Sequence, residues 1–361
     1  MSPGTLDPWR AWHDDLLDNS LIHADAAGCS ARSRRVTAAV KEHLDLEATN
    51  GAYIAEEMAA DRIEAARAGL SRLAGGGRVA FAQNASQAFR WLISAWPLPP
   101  GASVGTVPGE YPANAATLEM GAVWRDLRLV QLPTDPLGYI DIEGAEKLLP
   151  ELDLIAFPHI PSHRGIAQPA DAIAELCRAH GVDLILDAAQ SFGQQDVSRI
   201  RPSAFVGTSR KWLQGPRGVG FVVVADGRIE LDGPTGPEEG DAGVAERVGL
   251  ATAVAELERR GIDAVAARIS ELVTRLREGL TEKQGWNVLE PSATVAGSTT
   301  LRHPDHDPVA MVHHLRTCGV IASAIPVARA PNELDAPLLR FSLHAYSDGN
   351  WVDRIVEAIP A

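Results

Sequence analysis

Between residues 79 and 224 the chain alternates short β-rich runs with helical patterns, and this alternation leaves few architectures open to it. The apolar, β-branched runs fall at 79–82, 103–107, 127–132, 154–157, 183–186, 204–207 and 218–224. Between the earlier of them lie helical periodicities at 85–96, through Thr117, at 142–149 and at 170–180. Strands separated by helices cannot pair as hairpins, so they pair in parallel, with the crossovers covering both faces of the sheet. The expected fold class is α/β, with a mainly parallel sheet and functional groups on loops at the carboxyl ends of its strands.

Two helical patterns, at 31–46 and 53–73, precede this region and end at the Gly75-Gly76-Gly77 break. A Gly-, Pro- and acid-rich segment at 231–243 interrupts the alternation, and a long helical stretch follows at 244–283. Strands at 298–302, 320–325 and 339–343, with helices at 308–317 and 350–358, predict a smaller α+β unit. The expected division is an N-terminal helical segment over 1–20, a large domain over 21–245, and a connecting helix with a small C-terminal domain over 246–361.

The 33 basic and 47 acidic residues give a formal charge of -14, a field that repels nucleic acid backbones and anionic membranes. The three cysteines, Cys29, Cys177 and Cys318, have no CxxC spacing, so neither a disulfide framework nor a structural metal site is expected. No apolar run approaches the ~18 residues that a membrane span needs. Residues 1–12 carry no apolar export core, and the expected compartment is the cytoplasm.

The stretch Val182-Asp183-Leu184-Ile185-Leu186-Asp187-Ala188-Ala189-Gln190 is an apolar strand that delivers an acid and an amide at its end. A second strand ends in Thr208-Ser209-Arg210-Lys211-Trp212, and Gly215-Pro216-Arg217-Gly218-Val219-Gly220 then turns the chain into another. A carboxylate can hold a pyridinium nitrogen protonated, and a lysine of lowered pKa can form a Schiff base with an aldehyde. Together they point to pyridoxal 5'-phosphate chemistry.

These residues resemble the class V aminotransferase and cysteine desulfurase group of pyridoxal phosphate enzymes, which have the aspartate-aminotransferase fold (fold type I). The resemblance runs from His23-Ala24-Asp25-Ala26-Ala27-Gly28 to Leu339-Arg340-Phe341-Ser342-Leu343 with Tyr346. It implies a seven-stranded large-domain sheet and a homodimer with active sites at the interface. The 231–249 segment would then reach the neighbouring phosphate site. It also implies that Lys211 carries the cofactor, that Asp187 partners the pyridine nitrogen and that Gln190 donates to the phenolate oxygen. Ala85 and Ser86, behind Asn84, open a helix whose free amides suit the phosphate. Thr208 and Arg210 stand where the group often has serine and histidine near that phosphate, and a guanidinium offers it a planar set of donors. Tyr111 falls where desulfurases carry a ring-stacking histidine, and Ser162 is placed beside the cofactor. Arg340 matches the arginine for the substrate's α-carboxylate, with a structural salt bridge as the competing account. Ala26 and His163 are further substrate-side candidates. His163 and Arg164 occur in His159-Ile160-Pro161-Ser162-His163-Arg164-Gly165, where relatives have an asparagine near the cofactor.

A desulfurase of this group needs a nucleophilic cysteine on a C-terminal loop, and the corresponding stretch, 321–331, contains none. Four separated segments, around Tyr53, Tyr111, 162–169 and 209–213, resemble instead the branch of ergothioneine-pathway lyases that cleave the carbon–sulfur bond of hercynylcysteine sulfoxide. The expected partner is a small sulfur-containing amino acid. Its fixed trimethylammonium group would suit an aromatic face with nearby carboxylates, for which Tyr53, Glu56 and Glu57 are candidates; an exposed helix face is the plainer account of them. An aminotransferase, an epimerase resembling isopenicillin N epimerase, a related secondary-metabolite carbon–sulfur lyase, and a non-catalytic relative are the other readings of the same scaffold.

Overall fold

The computed structural model of the chain describes residues 8–16, 20–233, 235–291 and 296–360. Of the expected helical segment over 1–20, helix α1 (Pro8–Asp14) is present, while residues 1–7 and 17–19 lie outside the described residues. Next come β1 (Ile22–His23), α2 (Ala26–Cys29), α3 (Arg34–Asn50) and α4 (Ala52–Ala74). The alternating region gives β2 (Arg78–Ala82), α5 (Ala85–Ala95), β3 (Ser103–Thr106), α6 (Pro112–Trp124), β4 (Arg128–Gln131), α7 (Ile142–Leu148), β5 (Leu154–Pro158), α8 (Ala170–His180), β6 (Asp183–Asp187), β7 (Ala204–Thr208) and β8 (Gly220–Val224). The remainder is α9 (Val244–Arg260), α10 (Ile262–Thr281), β9 (Asn287–Val288), β10 (Ser298–Arg302), α11 (Pro308–Thr317), β11 (Val320–Ile321), β12 (Ser323–Ile325), β13 (Leu338–Ser342) and α12 (Gly349–Ala358). No described helix is long and apolar enough to cross a membrane.

Seven strands form the large sheet in the order β2-β8-β7-β6-β5-β3-β4. All run in parallel except β8, which is antiparallel to both β2 and β7. The reason is local: the loop bearing Lys211 turns straight from β7 back into β8 without a crossover helix, and a direct turn can join only antiparallel strands. The inner strands are buried on both faces, the edge strands β2 and β4 only in part, and alternate side chains feed two cores. Leu184 and Leu186 join Phe157, Phe205 and Phe221 on one side, while Ile185 joins Val206, Val222 and Phe89 on the other. Every residue of β5, β7 and β8 is buried, which is why they read as continuous apolar runs.

Two boundaries differ from the sequence reading. The helical stretch over 244–283 is two helices, broken at Gly261, whose φ of 81° lies outside the helical range. The single run over 320–325 is two strands with different partners: β11 pairs in parallel with β1, whereas β12 joins the antiparallel sheet β12-β13-β10-β9. Through β1, and through a bridge from Asp25 to Ser342, the segment after residue 20 is hydrogen-bonded to the C-terminal part of the chain.

One close approach positions the site. A Cβ at Gly220, the first residue of β8, would stand 2.2 Å from the Asn84 carbonyl carbon and 2.6 Å from the Ala85 nitrogen, at the turn into α5. Gly220→Val should therefore displace that turn and lower stability by about 1–3 kcal/mol, the usual cost of overpacking. The urea midpoint of the purified variant checks this; an unchanged midpoint would mean that the turn has room to spare.

Candidate active site

The carboxyl ends of β5, β6 and β7, the turns opening α5 and α6, and the loop from β7 to β8 enclose a cleft of about 470 Å³. It is lined by Ala85, Ser86, Tyr111, Ser162, Asp187, Gln190, Thr208, Arg210 and Lys211, so nine of the expected site residues meet in one place. Asn114, Ala189, Arg217 and Gly218 also line it.

Lys211 is 8% exposed. Burial is the largest influence on its amine and, against the attraction of Asp187 and with the repulsion of Arg210, Arg340 and Arg329, lowers its pKa to about 7. The other three lysines, Lys41, Lys147 and Lys283, are not buried. Asp187, at the end of β6, is held at both oxygens: Oδ1 accepts from the Ala189 amide (2.8 Å) and Oδ2 from the Asn114 Nδ2 (2.8 Å).

The same Asn114 nitrogen also donates to Glu110 Oε1 (3.1 Å), which accepts from the Tyr111 amide as well (2.7 Å). Glu110 is fully withdrawn from water; burial, then the charge of Asp187, pushes its carboxyl up to about 8, although those two hydrogen bonds oppose the rise. At neutral pH Glu110 is thus mostly the neutral acid. Neither Glu110 nor Asn114 was singled out from sequence. Their four-residue spacing into a helix was the available signal, since it puts both on one side of the first turn.

Helix α5 begins with Asn84, whose side chain accepts from the Gln87 amide (2.9 Å). The first-turn amides of Ala85 and Ser86 have no intrahelical acceptor, and they line the cleft, as an anion site requires. Arg210 donates to the Gly28 carbonyl, and its own carbonyl accepts from the Ser30 amide (2.9 Å), which ties the α2 segment to this rim. Thr208 Oγ1 donates to the Val219 carbonyl across the loop (3.4 Å). Gln190 is oriented from both ends: its Nε2 donates to the Ala27 carbonyl (3.0 Å) and its Oε1 accepts from Trp212 Nε1 (2.8 Å). One amide hydrogen then remains for any further acceptor.

Arg340 is buried beside this cleft, though it is not among the lining residues. It donates to Asp25 Oδ1 (2.9 Å) and to the Ser162 carbonyl (2.5 Å), while its Nε has no hydrogen-bond partner among the described residues. The salt bridge anticipated as the competing account is therefore present, to a residue near the start of the chain, and the Nε hydrogen and one hydrogen on each terminal nitrogen are left over.

Three expected substrate-side residues lie elsewhere. Tyr53 is 84% exposed on α4, in a surface hollow with Glu56, Asp241 and Arg247, so within one protomer it forms no cage at the cleft. Its helix turns its small residues, Ala55, Ala59 and Ala66, inward and leaves Tyr53 outside. His163 is wholly buried, with Nε2 3.1 Å from Glu333 Oε1, and Arg164 reaches the same oxygen (3.2 Å); both face the C-terminal loop. Ala26 is buried behind Asp25 and is not among the lining residues. The 231–249 segment is anchored on its own protomer, where Glu238 pairs with Arg67 and Arg247 and accepts from the Phe81 amide (2.9 Å).

Comparison with known proteins decides the family. Residues 22–355 match the family model for class V aminotransferases. The chain belongs to the class V aminotransferase family. It is 34% identical to a probable hercynylcysteine sulfoxide lyase of Mycobacterium tuberculosis (strain CDC 1551 / Oshkosh), over 98% of this chain and 93% of that one. It is 29% identical to isopenicillin N epimerase of Streptomyces clavuligerus, over 82% and 83% of the two chains. Among solved structures, the apo cysteine desulfurase of Thermococcus onnurineus NA1 superposes with a TM-score of 0.88 at 20% identity, covering 96% of each chain. A C-DES variant with glycine covalently linked to its pyridoxal phosphate gives 0.86 at 18% identity, over 97% and 98% of the chains.

As a member of this family the chain is a pyridoxal phosphate-dependent enzyme of fold type I. Its cleft fits that cofactor on its own chemistry: one buried amine, a fixed carboxylate, a helix start with free amides, and a buried Ser162 hydroxyl with no partner among the described residues. A pKa near 7 makes a direct prediction, because only the neutral amine attacks an aldehyde. The rate at which apoprotein takes up pyridoxal phosphate should rise about tenfold per pH unit below 7 and level off above it. Stopped-flow absorbance checks this, and a rise that continues unbroken to pH 9 would contradict the lowered pKa of Lys211.

Proposed function

We propose that this enzyme is a carbon–sulfur lyase acting on hercynylcysteine sulfoxide, giving pyruvate and ammonia from the three-carbon fragment and ergothioneine by way of its sulfenic acid. The observation that carries the reading is a buried base, Lys211, fixed near Asp187 in a site whose C-terminal loop, 321–331, has no thiol. Cys29 is half-buried in the N-terminal segment and Cys318 is exposed ahead of that loop; Cys177 is buried under the sheet, and its thiol is pushed up to about 12 by burial. Persulfide chemistry lacks its nucleophile, whereas elimination from a sulfoxide needs none. Similarity to the probable hercynylcysteine sulfoxide lyase of Mycobacterium tuberculosis supports this substrate.

Bound pyridoxal phosphate would supply an electron-withdrawing ring that acidifies the Cα–H of an amino acid attached to it. The α5 start and Arg210 would hold its phosphate. Asp187, locked by Ala189 and Asn114, would face the ring nitrogen, Tyr111 the ring, and Gln190 the phenolate oxygen with its free hydrogen. The neutral Lys211 amine, released from the cofactor when substrate takes its place, would remove the Cα proton. Arg340 would orient the substrate carboxylate with the donors that Asp25 and Ser162 leave free.

The proposal includes a cytoplasmic homodimer. Leu44 on α3 and Tyr53, Ile54 and Met58 on α4 are large apolar side chains left exposed in one protomer, which a partner subunit would cover, and Tyr53 with Glu56 would then border the partner's cleft. The test is incubation of cofactor-loaded protein with the sulfoxide and a thiol reductant, followed by mass spectrometry. Equal amounts of ergothioneine and pyruvate are expected, with a loss of about 100-fold or more in Lys211→Ala. Normal turnover by that variant would end the proposal. A sulfur-containing keto acid without pyruvate would mean transamination, and a racemised substrate epimerisation.

A further inference from the structure

Three arginines crowd Lys211, and two of them have protein acceptors: Arg210 the Gly28 carbonyl, and Arg340 the Asp25 carboxylate and the Ser162 carbonyl. The third, Arg329, has no carboxylate in ion-pairing range among the described residues. The contact its guanidinium makes is with the ring of Tyr111, 5.5 Å from the centroid, at the lip of the cleft. It is the last residue of a tight 3-10 turn, Val327–Arg329, on the loop where a desulfurase would need its cysteine.

That loop is fixed. Ala330 is fully buried with Ile325, Leu334 and Leu338 in a small core of its own. Glu333 docks on His163 and Arg164, and it packs so closely over Gly109 that a Cβ there would fall 2.2 Å from Glu333 Oε2. The acid nearest in sequence to Arg329 is thus already engaged, and the guanidinium is held against the turn that carries Tyr111. A preorganised cation without a counter-ion, at the edge of a reaction cleft, is suited to a negative charge that the reaction itself creates.

We propose that Arg329 binds the sulfoxide oxygen of the substrate and receives the anionic oxygen of the sulfenate as it departs. The inference rests on the lyase reading. In the step, Lys211 takes the Cα proton, the Cβ–S bond breaks, and its electron pair leaves with sulfur as a sulfenate. The three-carbon fragment becomes an enamine, hydrolysed to pyruvate and ammonia. No oxidant or reductant enters; a thiol reduces the sulfenate only afterwards. Arg329 therefore selects for sulfur already carrying oxygen, and a thioether, which has no oxygen to offer, gains nothing from it.

The test compares each sulfoxide with its thioether, in the hercynylcysteine pair and in the S-methyl-L-cysteine pair, using holoenzyme of wild type, Arg329→Met and Arg329→Lys. Pyruvate release gives kcat/KM. The ratio of kcat/KM on sulfoxide to that on thioether should fall about 100-fold in the Met variant, with partial recovery in the Lys variant, because any effect through the Lys211 amine is common to both substrates and cancels in the ratio. Tryptophan-fluorescence titration with L-cysteine sulfinate gives a readout without turnover: binding should weaken about tenfold or more in the Met variant, while L-alanine binding stays unchanged. Equal losses on sulfoxide and thioether, or no loss in either assay, would overturn the assignment. If wild type cleaves only the S-methyl pair, the hercynylcysteine reading fails and the Arg329 comparison still stands. If it cleaves neither, the sulfinate titration decides.

Discussion

The arrangement depends on one buried amine. Removing a lysine side chain from water penalises its cation; the carboxylate of Asp187 relieves part of that penalty, and the guanidiniums of Arg210, Arg340 and Arg329 add to it. The balance leaves Lys211 able to act as a neutral nucleophile and base near pH 7. Everything that keeps water out of the loop from β7 to β8, and everything that holds Asp187 still, serves that balance. Glu110 belongs to it too: kept as the neutral acid, it lets Asn114 serve Asp187 without placing a second anion beside it.

The wall behind Lys211 is aromatic and draws on distant parts of the chain. Trp212 is stacked with His344 (5.9 Å between centroids), which stacks in turn on Tyr346 (4.6 Å). Burial lowers the His344 imidazole to about 4, so it stays neutral, and one of its ring nitrogens lies 2.9 Å from the Trp212 carbonyl. The Tyr346 hydroxyl accepts from the Ala31 amide (3.0 Å), and the Ser342 hydroxyl from the Ala27 amide (2.9 Å). The segment after β1 and the end of the C-terminal sheet are thus closed around the lysine loop from opposite ends of the sequence. That closure is also what brings Asp25 to Arg340.

Legibility followed range. The strand runs, the acid at the end of β6 and the lysine after β7 were readable because each is a local pattern, and Asn84 at the start of α5 is a capping signal. The residues expected on the cofactor side, from Ala85 to Lys211, line one cleft. Features set by folding at a distance were not readable. The partner of Arg340 depends on β1 returning against β11. The burial of Glu110 depends on the sheet above it. The outward turn of Tyr53 depends on which side of α4 packs against α9. The reversal of β8 was hidden because an apolar strand reads the same in either direction. Residues 321–331 were informative from sequence only for the cysteine they lack, although Arg329 lies among them.

The central claim, that Lys211 alone among four lysines carries the cofactor because it alone is buried near a fixed carboxylate, can be tested without knowing the substrate. Holoenzyme is reduced with borohydride, digested, and the pyridoxyl group located by peptide mass spectrometry. The account predicts a single modified peptide containing Lys211. Modification spread over Lys41, Lys147 or Lys283, or absent from Lys211, would contradict it.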